Sequence, residues 1–249
     1  MKLTIVGCSG SGPGPDSPAS CYLVEHEGFA LVLDLGNGAL GALGRYTDPR
    51  GVGAFVLTHL HSDHCLDATS MLVLHRYHPG PRPGPIPLYG PADTSARVIA
   101  AADPGIVSVA DVFDVRRIEE ATQIGPFAVR IARTAHPVTT FAVRLEAGGS
   151  SLTYSADTGD CPALVKLARG SDVLLCEASF LEPGDGDPPN PSGIHLTGRG
   201  AAAHAVAAGV GRLLLTHVPL WYDPAAVLAE ARPIRPDAEL VTPGRTYDI

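Results

Sequence analysis

The stretch VLTHLHSDHC, residues 56–65, places His59, His61, Asp63 and His64 within six consecutive positions at the end of an apolar run. Imidazole is a common metal ligand, so a strand that runs straight into this cluster points to a metal centre at a strand's end. Residues two apart in an extended segment face the same way. His59 and His61 therefore share a side and can bind one ion. Asp63 and His64 come next, where the chain turns into a helix, and their side chains reach a neighbouring position. One tetrahedral ion rarely takes four ligands from so short a run, whereas two adjacent ions can divide them.

Two ions need further ligands from elsewhere. The chain offers His136 in RTAHPVT, Asp157 in YSADTGD and His217 in LLLTHVP. Each lies at or just past the carboxyl end of a predicted strand, where open α/β architectures gather their sites. Asp157 has two carboxylate oxygens and can bridge both ions. Asp160 is the competing choice, but it reads better as a cap on a helix over 161–168.

The 249 residues, 45% of them hydrophobic, suffice for one large α/β domain or two small ones. Apolar runs predict strands at 3–7, 21–26, 29–34, 54–58, 127–133, 141–147, 151–156, 172–178 and 212–217. Helices are predicted over about 66–77, 92–102, 161–168, 198–208 and 224–232. Thr197 and Asp223 suit N-caps, and Pro224 suits a first helical position. Strand-rich halves with intervening helices imply two packed sheets with helices on their outer faces. The 28 glycines and 23 prolines cluster in loops, and HPGPRPGPIPLYGP reads as a Pro-rich connection.

Composition narrows the partners. Lys and Arg number 18 against 26 Asp and Glu, a net charge of −8, and no basic stripe is present. A long nucleic acid is disfavoured on that count, while a small anionic substrate is not. Charges interrupt every apolar run before it could span a membrane. The first residues read as a strand rather than a signal peptide, so a cytoplasmic setting is expected. Five scattered cysteines without a CxxC pair read as reduced thiols. Cys65 follows His64 but is not assigned as a ligand.

The combined pattern of HLHSDH, His136, Asp157 and His217, in that order, resembles the metallo-β-lactamase superfamily. The resemblance covers essentially the whole chain. It implies a four-layer αβ/βα sandwich over residues 1–249, a single hydrolase domain with a dinuclear site along one edge of two sheets. By that analogy His59, His61 and His136 hold the first metal, Asp63, His64 and His217 hold the second, and Asp157 bridges. The cofactors are then two divalent ions, zinc in the first place, with manganese or iron as alternatives that His/Asp sites suit equally.

Within the superfamily three stretches look like the ribonuclease Z branch: GCSGSGPGPDSPASCYLV, DVLLCEASF and GIHLTGRGAAAHAVAAGVGRLLLTHVP. In that branch the histidine corresponding to His195 is proposed to meet the phosphate. Glu177 can orient it and raise its pKa. His195, Glu177 and Asp63 are the residues assigned to catalysis, Asp63 doubling as a ligand. A solvated histidine and a strand-end glutamate are the plainer reading of the first two. Asp34, closing strand 29–34, can brace a ligand histidine or bond its own turn. His26, His75, His78 and His204 are assigned to surface or packing.

Bacterial ribonuclease Z enzymes carry a long tRNA-gripping arm between the positions of His136 and Asp157. Here two strands fill that interval as a hairpin. The chain thus looks closer to armless actinobacterial enzymes that hydrolyse 3′,5′-cyclic nucleotides, a likeness carried by GPDSPAS, RYHP, YGP and DTGDC. The resemblance implies a phosphodiesterase in which a hydroxide shared by the ions attacks phosphorus, with cyclic AMP the first candidate substrate. It also implies a homodimer. The alternatives are tRNA 3′-processing, hydrolysis of a thioester, lactone or lactam, and a sensor that keeps its metals for structure alone.

Overall fold

A computed structural model describes residues 1–249. The first half of the chain runs β1 (Lys2–Gly7), a short β2 (Ser9–Gly10), β3 (Cys21–His26), β4 (Phe29–Leu33), α1 (Ala39–Leu43) and β5 (Ala54–Val56). It continues through α2 (Ser62–Cys65), α3 (Ala68–Tyr77), β6 (Ile86–Gly90), α4 (Thr94–Ala101) and β7 (Phe113–Arg117). The second half holds β8 (Ala121–Ile124), β9 (Phe127–Arg133), β10 (Phe141–Ala147), β11 (Ser150–Tyr154), α5 (Pro162–Ala168) and β12 (Val173–Glu177). Then come α6 (Gly198–Ala208), β13 (Arg212–Thr216), β14 (Val218–Pro219), α7 (Pro224–Ala231), β15 (Glu239–Leu240) and β16 (Thr246–Asp248).

Two seven-stranded sheets result, in the orders β16-β1-β3-β4-β5-β6-β7 and β15-β13-β12-β11-β10-β9-β8, with β14 and β2 forming a small pair of their own. The period-two alternation of strand side chains explains how both faces of each sheet are covered. In β4, Leu31 and Leu33 enter the central core while Val32 faces outward. In β12, Val173 and Leu175 enter that core while Leu174 and Cys176 face the other way. The central core joins the two sheets. A second core packs α1, α3 and α4 on the outside of the first sheet, and a third packs α5, α6 and α7 on the second. The fold is therefore the four-layer αβ/βα sandwich.

Strands β4 to β7 run parallel, as do β11, β12, β13 and β15, so both sheets direct several carboxyl ends to one edge. Thr197 and Asp223 cap their helices as expected, accepting from Gly200 N and Ala225 N. Asp160 does not cap α5. Cys161 occupies the cap position without a side-chain bond, and the Asp160 side chain is 91% exposed, 3.3 Å from His204 Nε2. The Pro-rich stretch is a second departure, since it contains β6 rather than connection alone. No helix is long and apolar enough to cross a membrane. All five cysteines are unpaired.

Candidate metal centre

The carboxyl ends of five strands meet here. Asp34 follows β4, His59 lies beyond β5, Asp157 follows β11, Glu177 closes β12 and His217 follows β13. Asp63 and His64 sit on the single turn of α2, which begins earlier than the predicted helix. His136 comes from the loop after β9, and His195 from the segment before α6. Three of the strand-end residues bend the chain sharply: Asp34, Ala156 and His217 have φ of 59°, 51° and 61°. Non-glycine residues in the left-handed region cost roughly 1–3 kcal/mol each and persist only where the surroundings fix them.

Two glycines permit the close approach this requires. A Cβ on Gly10 would lie 2.2 Å from the His217 carbonyl oxygen, and one on Gly36 would lie 2.0 Å from that of Asp63. No larger residue fits at either position without moving a candidate ligand.

The hydrogen bonds fix which nitrogen of each ring faces the centre. His64 Nδ1 donates to Asp34 Oδ2 at 2.8 Å, and His136 Nδ1 donates to the Ile194 carbonyl at 2.9 Å. Thr58 gives its hydroxyl hydrogen to Asp34, so at 3.2 Å it accepts from His59 Nδ1. Ser179 gives its hydrogen to the His217 carbonyl, so at 2.7 Å it accepts from His217 Nδ1. Four imidazoles thus turn Nε2 inward.

Those nitrogens crowd together. His64 Nε2 and His217 Nε2 are 3.0 Å apart, and His61 Nδ1 lies 3.2 Å from both His59 Nε2 and His136 Nε2. Two unprotonated nitrogens at such distances repel, and a proton or a metal cation among them relieves the repulsion. Asp157 divides its oxygens between the two groups. Oδ2 is 3.5 Å from His59 Nε2 and 3.8 Å from His136 Nε2, while Oδ1 is 3.2 Å from His64 Nε2 and 3.5 Å from His217 Nε2. Buried Asp157 Oδ1 has no hydrogen-bond donor of its own. The donor set fits divalent metal. His59, His61, His136 and Asp157 form one group able to hold an ion, and Asp63, His64, Asp157 and His217 a second, with donor atoms in each within 4.8 Å of one another.

The electrostatics agree. Burial drives His59 well below the usual imidazole range, and burial together with the neighbouring His136 lowers His61, which favours the neutral rings a metal requires. Burial would raise Asp157, but His217, His64 and His59 hold it well below the carboxylate range. For His64 burial pushes downward, and Asp157 and Asp34 overcome it to give a net rise.

Beside the second group, Glu177 is fully buried and saturated. Its Oε1 accepts from Thr158 N and His195 Nδ1, both at 2.8 Å, and its Oε2 accepts from Ser179 N at 3.0 Å. The His195 ring lies 5.5 Å from that of His136 and 5.7 Å from that of His217. Burial lowers its pKa, but the Glu177 carboxylate carries it upward overall. Every predicted site residue is thus brought to one place. Cys65 stays outside the donor groups, its thiol pushed by burial up to about 11. Asp34 is found bracing His64, whereas Thr58 and Ser179 went unremarked in the sequence. Their signal was adjacency, one residue before His59 and two after Glu177.

Two facing mixed sheets with this centre at their shared edge define a metal-dependent hydrolase. The chain belongs to the beta-lactamase superfamily domain family, whose profile matches residues 32–218. An uncharacterized protein of Mycobacterium leprae is 44% identical, the match covering 100% of this chain and 89% of that one. Ribonuclease Z of Mycobacterium bovis is 32% identical over 87% of this chain and 85% of its own. The crystal structure of the metallo-β-lactamase fold protein YhfI from Bacillus subtilis superposes with a TM-score of 0.86 at 24% identity, covering 99% of both chains.

Proposed function

We propose that the protein is a dinuclear phosphodiesterase acting on a small diester, a 3′,5′-cyclic nucleotide such as cyclic AMP first among them, with residues 1–249 working as one hydrolase domain. The observation that carries this reading is the Glu177–His195 pair set beside the candidate metal groups. A phosphodiester leaves as an alkoxide, which needs a proton as the P–O bond breaks. His195 is held by Glu177 through Nδ1 at 2.8 Å, which leaves Nε2 to donate to the departing 3′-oxygen. Glu177 fixes the ring's orientation and stabilises its protonated form.

His59, His61 and His136 would hold one divalent ion and Asp63, His64 and His217 the other, with Asp157 between them. Bound there, two ions, zinc first among them, supply Lewis acidity to the phosphoryl oxygens and activate water at neutral pH. Asp63 remains ionised: burial works against this, but His217 and His64 hold its carboxyl well below the usual range. Ribonuclease Z as a relative supports phosphodiester chemistry.

Substrate size follows from what fills the interval between His136 and Asp157. Strands β10 and β11 pair antiparallel there as a hairpin, with no further element between them. With a net charge of −8, this favours a small diester over tRNA. The likeness to ribonuclease Z keeps tRNA 3′-processing as the second reading. Five free cysteines support a reducing, cytoplasmic setting.

The test is turnover of cyclic AMP beside bis(p-nitrophenyl) phosphate by metal-loaded protein, with Asp157→Ala as control. Cleavage of both, lost in the variant, is expected. Cleavage of the generic diester alone moves the substrate elsewhere, and cleavage of a tRNA precursor at its 3′ trailer selects the second reading. Activity on neither diester by a protein holding two metals sinks the phosphodiesterase assignment and favours an acyl substrate.

A further inference from the structure

Trp221 is the chain's only tryptophan, yet it is 62% exposed, next to Leu220 at 58%. Indole is on average highly buried, so a lone tryptophan left in water asks for a ligand. Its place is defined by His217. Strand β14 leaves His217 directly, pairs with Ser9 and Gly10, and ends in a turn closed by Tyr222 N on the Pro219 carbonyl at 3.0 Å. The four-residue step from His217 to Trp221 keeps their α-carbons within about 14 Å.

The turn is braced on each side. Leu220 Cβ lies 3.8 Å from where a Cβ on Gly14 would sit, and the Tyr222 ring meets Trp221 in a T-shaped pair with centroids 6.2 Å apart. Asp223 then caps α7. An aromatic side chain is thus presented to water four residues beyond the candidate ligand His217. The candidate ligands themselves are histidines and carboxylates, groups that can hold a phosphate but give no purchase to a flat uncharged ring, and the Phe180 ring lies edge-on to His195 with centroids 5.1 Å apart.

We propose that Trp221 stacks on the base of a nucleotide whose phosphate occupies the metal centre. This deepens the phosphodiesterase reading and rests on it. Base–aromatic stacking accepts any base, because every base has a π-face. Two neighbouring apolar side chains are far too little for a stable protein interface, which needs on the order of 1,000 Å². A base, by contrast, is matched to a single indole. The residue contributes binding rather than chemistry, so its loss raises KM while kcat holds.

Because the chain has a single tryptophan, intrinsic emission reports this position alone. Metal-loaded protein is titrated with 5′-AMP and, separately, with ribose 5-phosphate. Saturable quenching by 5′-AMP and none by ribose 5-phosphate is expected, together with a roughly tenfold or larger rise in KM for cyclic AMP in Trp221→Ala, largely restored in Trp221→Phe. Inhibition of bis(p-nitrophenyl) phosphate turnover by 5′-AMP without quenching overturns the stacking role and leaves the phosphodiesterase standing. An emission change that follows protein concentration alone gives the face to a second copy and overturns it too. If 5′-AMP neither inhibits nor quenches, and cyclic AMP is not cut, the nucleotide reading fails and Trp221 loses its role with it.

Discussion

Asp34 and His64 are joined by a 2.8 Å hydrogen bond in which both groups are fully buried, and Asp34 also accepts from Thr58 N at 2.7 Å, from the Thr58 hydroxyl and from Tyr154 at 3.0 Å. The carboxylate acts as a socket. It holds the hydrogen of His64 on Nδ1 and turns Nε2 toward His217. Removing such a partner weakens metal binding roughly 10- to 100-fold. Asp34→Asn keeps the shape and loses the charge. Metal analysis after dialysis against a weak chelator should show loss from the second group before the first, with the circular dichroism of the fold retained. Equal retention of both ions would remove Asp34 from the site.

Metal loading near neutral pH should release protons. Asp157 and Asp34 hold the His64 ring above its ordinary pKa against the downward push of burial. The metal-free fold therefore carries a proton there that it would lose only as pH rises through the elevated value. An incoming cation displaces it. Calorimetric titration with zinc in buffers of differing ionisation enthalpy gives the count directly, and the apparent affinity should fall as pH falls. A heat independent of buffer would contradict the assignment.

His195 should lose activity on the alkaline side. As pH rises through its folded pKa the proton needed by the leaving oxygen is gone. Burial lowers that pKa and Glu177 raises it, with a net upward shift. Glu177→Gln removes the raising partner, so the alkaline fall of the rate profile should move to lower pH. His195→Ala should cut turnover roughly 10²- to 10⁴-fold while two metals stay bound. Loss of metal in that variant would make His195 a ligand instead.

Gly10→Ala should damage the centre without replacing any candidate ligand. The added methyl meets the His217 carbonyl at 2.2 Å and the backbone must give way. Overpacking of this kind costs roughly 1–3 kcal/mol. Thermal denaturation should show a lowered midpoint, and metal titration a weakened second group. A variant with both unchanged would mean that the segment 9–10 is free to move.

The histidine cluster was legible because its members lie side by side in the sequence. Asp157 and His217 were legible through their position at strand ends, a rule of parallel sheets. The bracing of His64 by Asp34 was not, since the partners lie on different strands and an aspartate after a strand serves equally well to bond its own turn. Strand β6 was missed for another reason. Pro87 argues against a strand, because proline cannot donate to a ladder. Here Ile86 bonds to Val112 on the β7 side, and pairing with β5 begins only at Leu88, so the missing N–H falls where no partner waits. Asp160 was misread as a cap because its place before α5 suited one. In the fold Cys161 N instead donates to His204 Nε2 at 3.0 Å.

The candidate ligands are split between the two sheets, and this has a consequence for synthesis on the ribosome. His59, His61, Asp63 and His64 emerge long before His136, Asp157 and His217 exist as polymer, and the first sheet itself waits for β16 to pair with β1. Growing chains fold as their contacts become available. For much of translation the nascent chain therefore displays half a chelator on an unfinished scaffold. Any cation met at that stage finds only the four candidate ligands of residues 59–64, with His136, Asp157 and His217 still to come.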